Sequence, residues 1–249
     1  MSRFSGRREV AIGLGTYAVY LLVRRLVVDE RGRRAAARNA ERVVALERRL
    51  GLHVEPAVQR VLLPRRRLLA TLNVAYVTLN VALTVGWLML LYRRRDPSFH
   101  RLRRSAVLAT LGAQPVYLLF PCGPPRSLEG FVDTVAEVLD LDSGLVVRFY
   151  NPIAAMPSIH VAFAVVTGAG LAQAGRSRAT RAFGKVYPAA VFGTVVATAN
   201  HYVLDGIAGS VLAAAALRAA SAFESARGAA PSSAVTTARA SAGSTGPAR

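Results

Sequence analysis

The chain has a single cysteine, Cys122, and a single lysine, Lys185, in 249 residues. One cysteine excludes an intramolecular disulfide and any zinc cluster built on thiolates. The lone lysine stands against 31 arginines. That bias, with abundant Ala, Gly and Val, points to a GC-rich coding sequence and says nothing of mechanism. Acidic residues are scarce as well, 14 against 32 basic ones, for a formal net charge of +18. Such a balance raises nucleic acid as a partner. A nucleic-acid groove, however, needs its arginines interleaved with aromatics or aligned on one helical face. Here they fall between apolar blocks, so no nucleic acid is expected. Internal repeats and an H-E-x-x-H zinc motif are absent too. The first apolar stretch lacks a small-x-small cleavage site and is expected to be a retained span rather than a signal peptide.

What is present is apolar sequence in long blocks: 53% of residues are hydrophobic and the mean hydropathy is +0.33. About 20 residues cross a bilayer. Six blocks approach that length: 10–28, 68–92, 105–121, 158–174, 186–199 and 202–222. Arg24 and Arg25 interrupt the first and would snorkel to an interface. The expected fold is all-α, a polytopic membrane protein built as a six-helix transmembrane bundle with amphipathic surface helices. Those surface helices fall at about 35–63. In the first, Ala40, Val43, Val44, Leu46 and Leu50 form a stripe that stops at Gly51. His53 reads as a surface or packing residue, and His100, in the arginine-rich loop, as a solvated one. A further helical period covers 127–140, with Glu129, Asp133, Glu137 and Asp140 as a solvated face. The membrane-embedded domain is expected over 1–225, and 226–249, rich in Ala, Ser, Gly and Thr, as a disordered tail.

Six spans put both termini on one side and two polar islands, 121–160 and 198–206, on the other. Arginine and lysine together are equally numerous on the two faces. The short loops 93–104 and 176–185 are nearly free of acids, which favours cytoplasmic termini and islands on the extracytoplasmic face of a bacterial plasma membrane.

The islands carry the chemistry. Tyr150-Asn151-Pro152 leads to Pro157-Ser158-Ile159-His160, and Asn200-His201-Tyr202 leads to Asp205. An ionisable residue at a span mouth is a functional-site candidate. His201 is a candidate nucleophile, with Asp205 at i+4 on the same helical face to fix its tautomer. Ser158 is a good N-cap, and the amides of the turn it opens make an anion site. His160 in that turn is placed to protonate a leaving oxygen. Arg126, after Gly123-Pro124-Pro125, suits a bidentate phosphate clamp. Two histidines, one carboxylate and one arginine fit metal-free phosphoryl transfer. The competing readings are a plain cap at Ser158, interface histidines at 160 and 201, a headgroup-contacting Arg126, and a zinc site from His160, His201 and Asp205. The last is allowed by ligand type but has no motif behind it.

These residues resemble the type-2 phosphatidic acid phosphatase superfamily, particularly its inositol phosphorylceramide synthase-like branch. The superfamily pattern is K-x6-R-P, then P-S-G-H, then S-R-x5-H-x3-D. Its second element appears as Pro157-Ser158-Ile159-His160 inside Ala155-Met156-Pro157-Ser158-Ile159-His160-Val161, and its third as His201-x3-Asp205. The resemblance implies a lipid phosphate as substrate within the membrane bilayer, and no metal or cofactor. It makes His201 the nucleophile that becomes a phosphohistidine, Asp205 its orienting partner and His160 the general acid, with Arg126 and Ser158 binding phosphate. The departures are Leu119 where the pattern has lysine, Ser127 for proline, Thr194 for serine and Val195 for arginine. Arg148, Asn151, Asn200 and Tyr202 are candidates for the missing phosphate contacts. Otherwise the substrate is a less charged phosphodiester, and the enzyme a headgroup transferase. A non-catalytic membrane protein, a transporter or assembly factor, is the competing class.

Overall fold

A computed structural model describes residues 4–136 and 151–229. The described residues form nine α-helices: α1 (Gly6–Val27), α2 (Glu30–Leu50), α3 (Glu55–Leu62), α4 (Arg66–Val74), α5 (Asn80–Arg93), α6 (Phe99–Leu119), α7 (Ile159–Ala174), α8 (Arg178–Ala197) and α9 (Val203–Ala229). No strand occurs among the described residues. The nearest approach is an isolated parallel bridge between Cys122 and Ala154.

Local signals set most boundaries. Asp29 caps α2 by accepting from the Gly32 amide at 2.7 Å, and Gly51 ends it in the left-handed region at φ 68°. Ser158 caps α7 and Ser177 caps α8. Between α4 and α5 the chain makes one π-helical turn, Ala75–Leu79. Such turns are often found at functional sites.

The core lies where α5, α6, α7 and α9 meet, around Trp87, Leu91, Leu102, Ala109, Ala162, Val166, Ala213 and Ala216. Small residues bring α7 and α8 together. A Cβ on Gly168 would sit 2.6 Å from the Gly184 carbonyl, and one on Gly184 would sit 2.7 Å from the Gly168 carbonyl. This close backbone approach is typical of helix pairs in membranes. The outward faces of α1, α5 and α9 expose Leu14, Leu22, Leu26, Val85, Met89 and Val211.

Two helices are long and apolar enough to cross a membrane by length and composition, Gly6–Val27 and Val203–Ala226. The other expected spans fall short for visible reasons. The π-turn divides 66–93. Helix α6 opens with Arg101, Arg103 and Arg104, and α8 carries Arg178, Arg181 and Lys185. Helix α7 has only 16 residues.

The structure corrects three expectations. His100, expected in solvent, is buried in α6. The helix foreseen over 127–140 is absent from its described part: a 3-10 turn, Pro125–Ser127, is followed by irregular chain. Gly130 takes φ 88°. The Gln59 side chain also claims both backbone groups of Val132, donating to its carbonyl at 2.8 Å and accepting its amide at 3.0 Å. The stripe of α2 is rotated as well. Its buried residues are Ala36, Asn39, Ala40, Val43, Val44 and Glu47, while Leu46 and Leu50 are exposed. Helix α9 runs to Ala229. The rest of the expected tail lies outside the described residues.

Candidate active site

The first turn of α9 is held in an unusual way. Three successive backbone amides each donate to a carboxylate: Tyr202 to Asp205 Oδ2 at 3.0 Å, Val203 to Glu55 Oε1 at 2.8 Å and Leu204 to Glu47 Oε1 at 2.8 Å. A helix N-terminus leaves such amides without intrahelical acceptors, and α2 and α3 supply the acceptors here. Glu47 and Glu55 are fully buried. Burial, working against the Leu204 hydrogen bond and helped by the nearby Glu55 and Asp205, pushes the Glu47 carboxyl up to about 8. These amides are committed to the protein and do not form an anion site.

The connection just before that turn carries His201. Its Nδ1 lies 2.9 Å from the Ala155 carbonyl oxygen and 3.3 Å from Asp205 Oδ2. A carbonyl can only accept, so Nδ1 bears the hydrogen and Nε2 keeps its lone pair. Nε2 is buried and has no hydrogen-bond partner. Burial and the Arg126 charge, opposed by the Ala155 hydrogen bond, lower the imidazole to about 4. The ring is therefore neutral at pH 7.

The Ala155 carbonyl is fixed by a chain of backbone contacts. Ala155 N donates to Cys122 O at 3.0 Å, and Cys122 N to Ile153 O at 2.9 Å. Helix α2 holds the strip 121–123 in turn: Asn39 donates to Pro121 O at 2.9 Å and Gly123 N to Ala36 O at 3.2 Å. The rotated face of α2 thus packs on the loops, together with Cys122, Ala155 and Tyr202.

His160 faces His201 with ring centroids 5.7 Å apart, and Tyr76 stacks against His160 at 4.3 Å and approaches His201 at 6.2 Å. Tyr76 is presented by the π-turn. Its neighbour Asn80 donates to the His160 carbonyl at 2.9 Å and accepts from the Tyr187 hydroxyl at 2.6 Å. Tyr117 donates to Pro157 O at 2.9 Å, and Ser158 N to Asp205 O at 3.0 Å. The two polar islands are thereby tied to each other and to four helices. The Nδ1 of His160 has no partner.

Arg126 is buried beside them. Its amide donates to Ala199 O at 3.0 Å, its Nε to Asn200 Oδ1 at 2.9 Å and a terminal nitrogen to Asp133 Oδ2 at 2.5 Å. Asn200 is oriented by Thr198, to whose Oγ1 its Nδ2 donates at 2.8 Å. Two histidines, a fixed tautomer and a guanidinium thus converge in the order 126, 160, 201 and 205.

The model of one protein family, described as the PAP2 superfamily, matches residues 41–219. The chain belongs to the PAP2 superfamily. No curated protein and no solved structure matches it. Members of the PAP2 superfamily are generally phosphatases and phosphotransferases. With that membership, the two apolar helices point to a membrane protein.

The other expected site residues are placed as follows. A cavity of about 1350 Å³ runs between α1 and α5 over α6 and α7, and His160, His201, Asn151 and Asn200 line one end of it. Ser158 is buried, accepts the Val161 amide at 3.3 Å as a cap, and does not line the cavity. Tyr202 is buried against α2, its hydroxyl without a partner, and also lies off the cavity wall. Arg148 lies outside the described residues. The two positions where the PAP2 pattern has a cation are unlike each other: Leu119 is 81% exposed, and Val195 is fully buried against Tyr76 and Val161. Among the described residues the ligand atoms of His160, His201 and Asp205 are not grouped closely enough to hold a metal ion together, whereas those of Glu47, His53 and Glu55 all lie within 4.8 Å of one another.

Sequence reasoning missed Tyr76, Asn80, Asp133 and the Ala155 carbonyl. Asn73 and Asn80, two amides in an otherwise apolar span, were the available signal for the π-turn between them.

Proposed function

We propose that this PAP2 protein is an integral membrane lipid phosphatase, with six spans and its site on the extracytoplasmic face. It would hydrolyse a lipid phosphomonoester or pyrophosphate through a phosphohistidine. The observation that carries this reading is the unpartnered Nε2 of His201, beside a neutral ring whose Nδ1 hydrogen is tied to Ala155 and Asp205. The Nε2 lone pair attacks phosphorus. The bond from phosphorus to the leaving oxygen breaks, and His160, which must enter the step as an imidazolium paired with the bound phosphate, supplies the proton that oxygen needs. Water then attacks the phosphohistidine, gives its proton to His160 and releases phosphate, restoring the His160 imidazolium and the neutral His201 ring. Arg126, aimed by Asn200, stabilises charge on the equatorial oxygens. The acyl chains would lie in the cavity among Val81, Val85, Leu88, Met89, Val107 and Phe163. The test is phosphate release from a panel of lipid phosphates by the purified chain. Turnover should be lost in His201→Ala and fall steeply in His160→Ala, and full activity in both would exclude the mechanism.

One observation favours a second reading, transfer of a phosphoalcohol headgroup to a lipid or polyol hydroxyl. Asp133 already pairs with Arg126, and neither Leu119 nor Val195 adds a cation. A phosphodiester carries one charge and needs a weaker cradle than a phosphomonoester. Supplying an inositol phospholipid with an acceptor lipid separates the two: a new phosphodiester supports transfer, and free phosphate alone supports hydrolysis.

A further inference from the structure

The three carboxylates on the first turn of α9 differ in one respect. Asp205 belongs to the histidine pair. Glu47 and Glu55 come from α2 and α3, and each uses only one oxygen on the amides. Their second oxygens, Glu47 Oε2 and Glu55 Oε2, are buried without a hydrogen-bond donor. Both approach the imidazole of His53, whose Nδ1 lies 3.3 Å from Glu55 Oε2 and 3.8 Å from Glu47 Oε2 and makes no hydrogen bond. The three ligand atoms lie within 4.8 Å of one another. Two carboxyl groups excluded from water and turned toward each other and toward a ring nitrogen are costly as carboxylates unless a positive charge, a proton or a metal ion, lies between them.

We infer that Glu47, His53 and Glu55 form a site for one divalent transition-metal ion, of the Zn²⁺ class, that braces the first turn of α9. Imidazole nitrogen with carboxylate oxygen is a donor set suited to zinc. At metal–ligand distances near 2.1 Å, tetrahedral ligands stand about 3.4 Å apart, close to the separations seen at His53. His53 retains 15% exposure while the two glutamates have none, so solvent reaches the cluster on the histidine side. The ion would be structural. It touches neither His160 nor His201 and enters no step of phosphoryl transfer, so the site stands whether or not the proposed reaction does. Its effect is to hold α2 and α3 against α9: Glu47 and Glu55 would clasp the ion with one oxygen and the Val203 and Leu204 amides with the other. His201 sits at the head of that turn.

The test uses the full chain, purified in detergent with any metal-binding tag removed and stripped with EDTA. ZnCl₂ is then added, unbound metal is removed by desalting, and zinc per chain and the melting temperature are measured. The expected result is one retained zinc ion per chain and a melting temperature several degrees above that of the stripped protein. His53→Ala removes the most exposed ligand and leaves the buried carboxylates in place. It should fold and lose retention by at least tenfold, as should Glu55→Gln. Wild-type chain that retains no more zinc than His53→Ala, or melts alike with EDTA and with ZnCl₂, overturns the inference. A failure of Glu55→Gln to fold leaves the His53→Ala comparison and the wild-type titration to decide.

Discussion

His201 Nδ1 lies closer to the Ala155 carbonyl oxygen, at 2.9 Å, than to the Asp205 carboxylate at 3.3 Å. The backbone of one polar island therefore sets the tautomer of the histidine in the other. Where a carboxylate alone performs this task, its conversion to the amide costs on the order of 10⁴-fold. Here Asp205→Asn keeps the Ala155 contact and an oxygen for the Tyr202 amide. Its kcat should fall by roughly 10- to 100-fold. A loss of 10⁴-fold would show that Asp205, not Ala155, holds the ring.

Arg126 divides its donors between Asn200 and Asp133. Asp133 is about one-third exposed, so the pair is worth roughly 0.2–1 kcal/mol and, in the proposed reaction, would compete with the substrate's phosphate for the same nitrogen. Asp133→Asn keeps the Oδ1 that accepts the Val135 and Ala136 amides. It should lower KM about two- to fivefold with kcat unchanged. Arg126→Ala should lower kcat/KM by about 10²- to 10³-fold. A rise in KM for Asp133→Asn would mean that the aspartate orients the guanidinium rather than competing for it.

Gly209 lets α9 pass against the start of α7. An added Cβ would stand 2.3 Å from the Ser158 carbonyl oxygen, so Gly209→Ala must move the helix off Ser158 and stretch the bond from Ser158 N to Asp205 O. The expected cost is about 1–3 kcal/mol of stability, with kcat reduced on the order of 10- to 100-fold. At Gly193 nothing lies within 4 Å of such a carbon, and Gly193→Ala should change neither melting temperature nor turnover. Equal effects at the two positions would remove the steric argument.

Burial lowers the His201 imidazole to about 4 because the charged ring loses its water, and the Arg126 charge acts in the same direction. The group is then neutral throughout the range above that value, where a solvated histidine would still be taking up a proton near 6.5. Histidine-labelled protein should show, by ¹⁵N NMR at pH 5.5, a neutral His201 ring with hydrogen on Nδ1. A ring protonated at pH 5.5 would contradict it.

The motif residues were legible in the sequence because each island is short and local: His201 and Asp205 are four residues apart, and Ser158 caps the helix that carries His160. Their convergence followed from counting apolar blocks. What the sequence hid depends on contacts between distant backbone and side-chain groups. The Ala155 carbonyl has no side-chain signature, and Glu47 and Glu55 meet amides about 150 residues away. Glu47 sat among arginines on what read as the solvent side of α2, and the stripe came out rotated because the helix faces the loops rather than lipid alone. The period over 127–140 was real in sequence, but Gly130 and the Gln59 side chain took the backbone out of helical hydrogen bonding. Asp133, released from that helix, reaches Arg126.

The central claim is that His201 Nε2 becomes covalently attached to phosphorus. The most direct measurement is to mix the full chain with a ³²P-labelled lipid phosphate, quench within milliseconds, and follow protein-bound label. The account predicts label that is stable in base, lost in acid, located on His201 by mass spectrometry, and absent in His201→Gln. Wild-type turnover with no acid-labile label, or label that persists in His201→Gln, would contradict it.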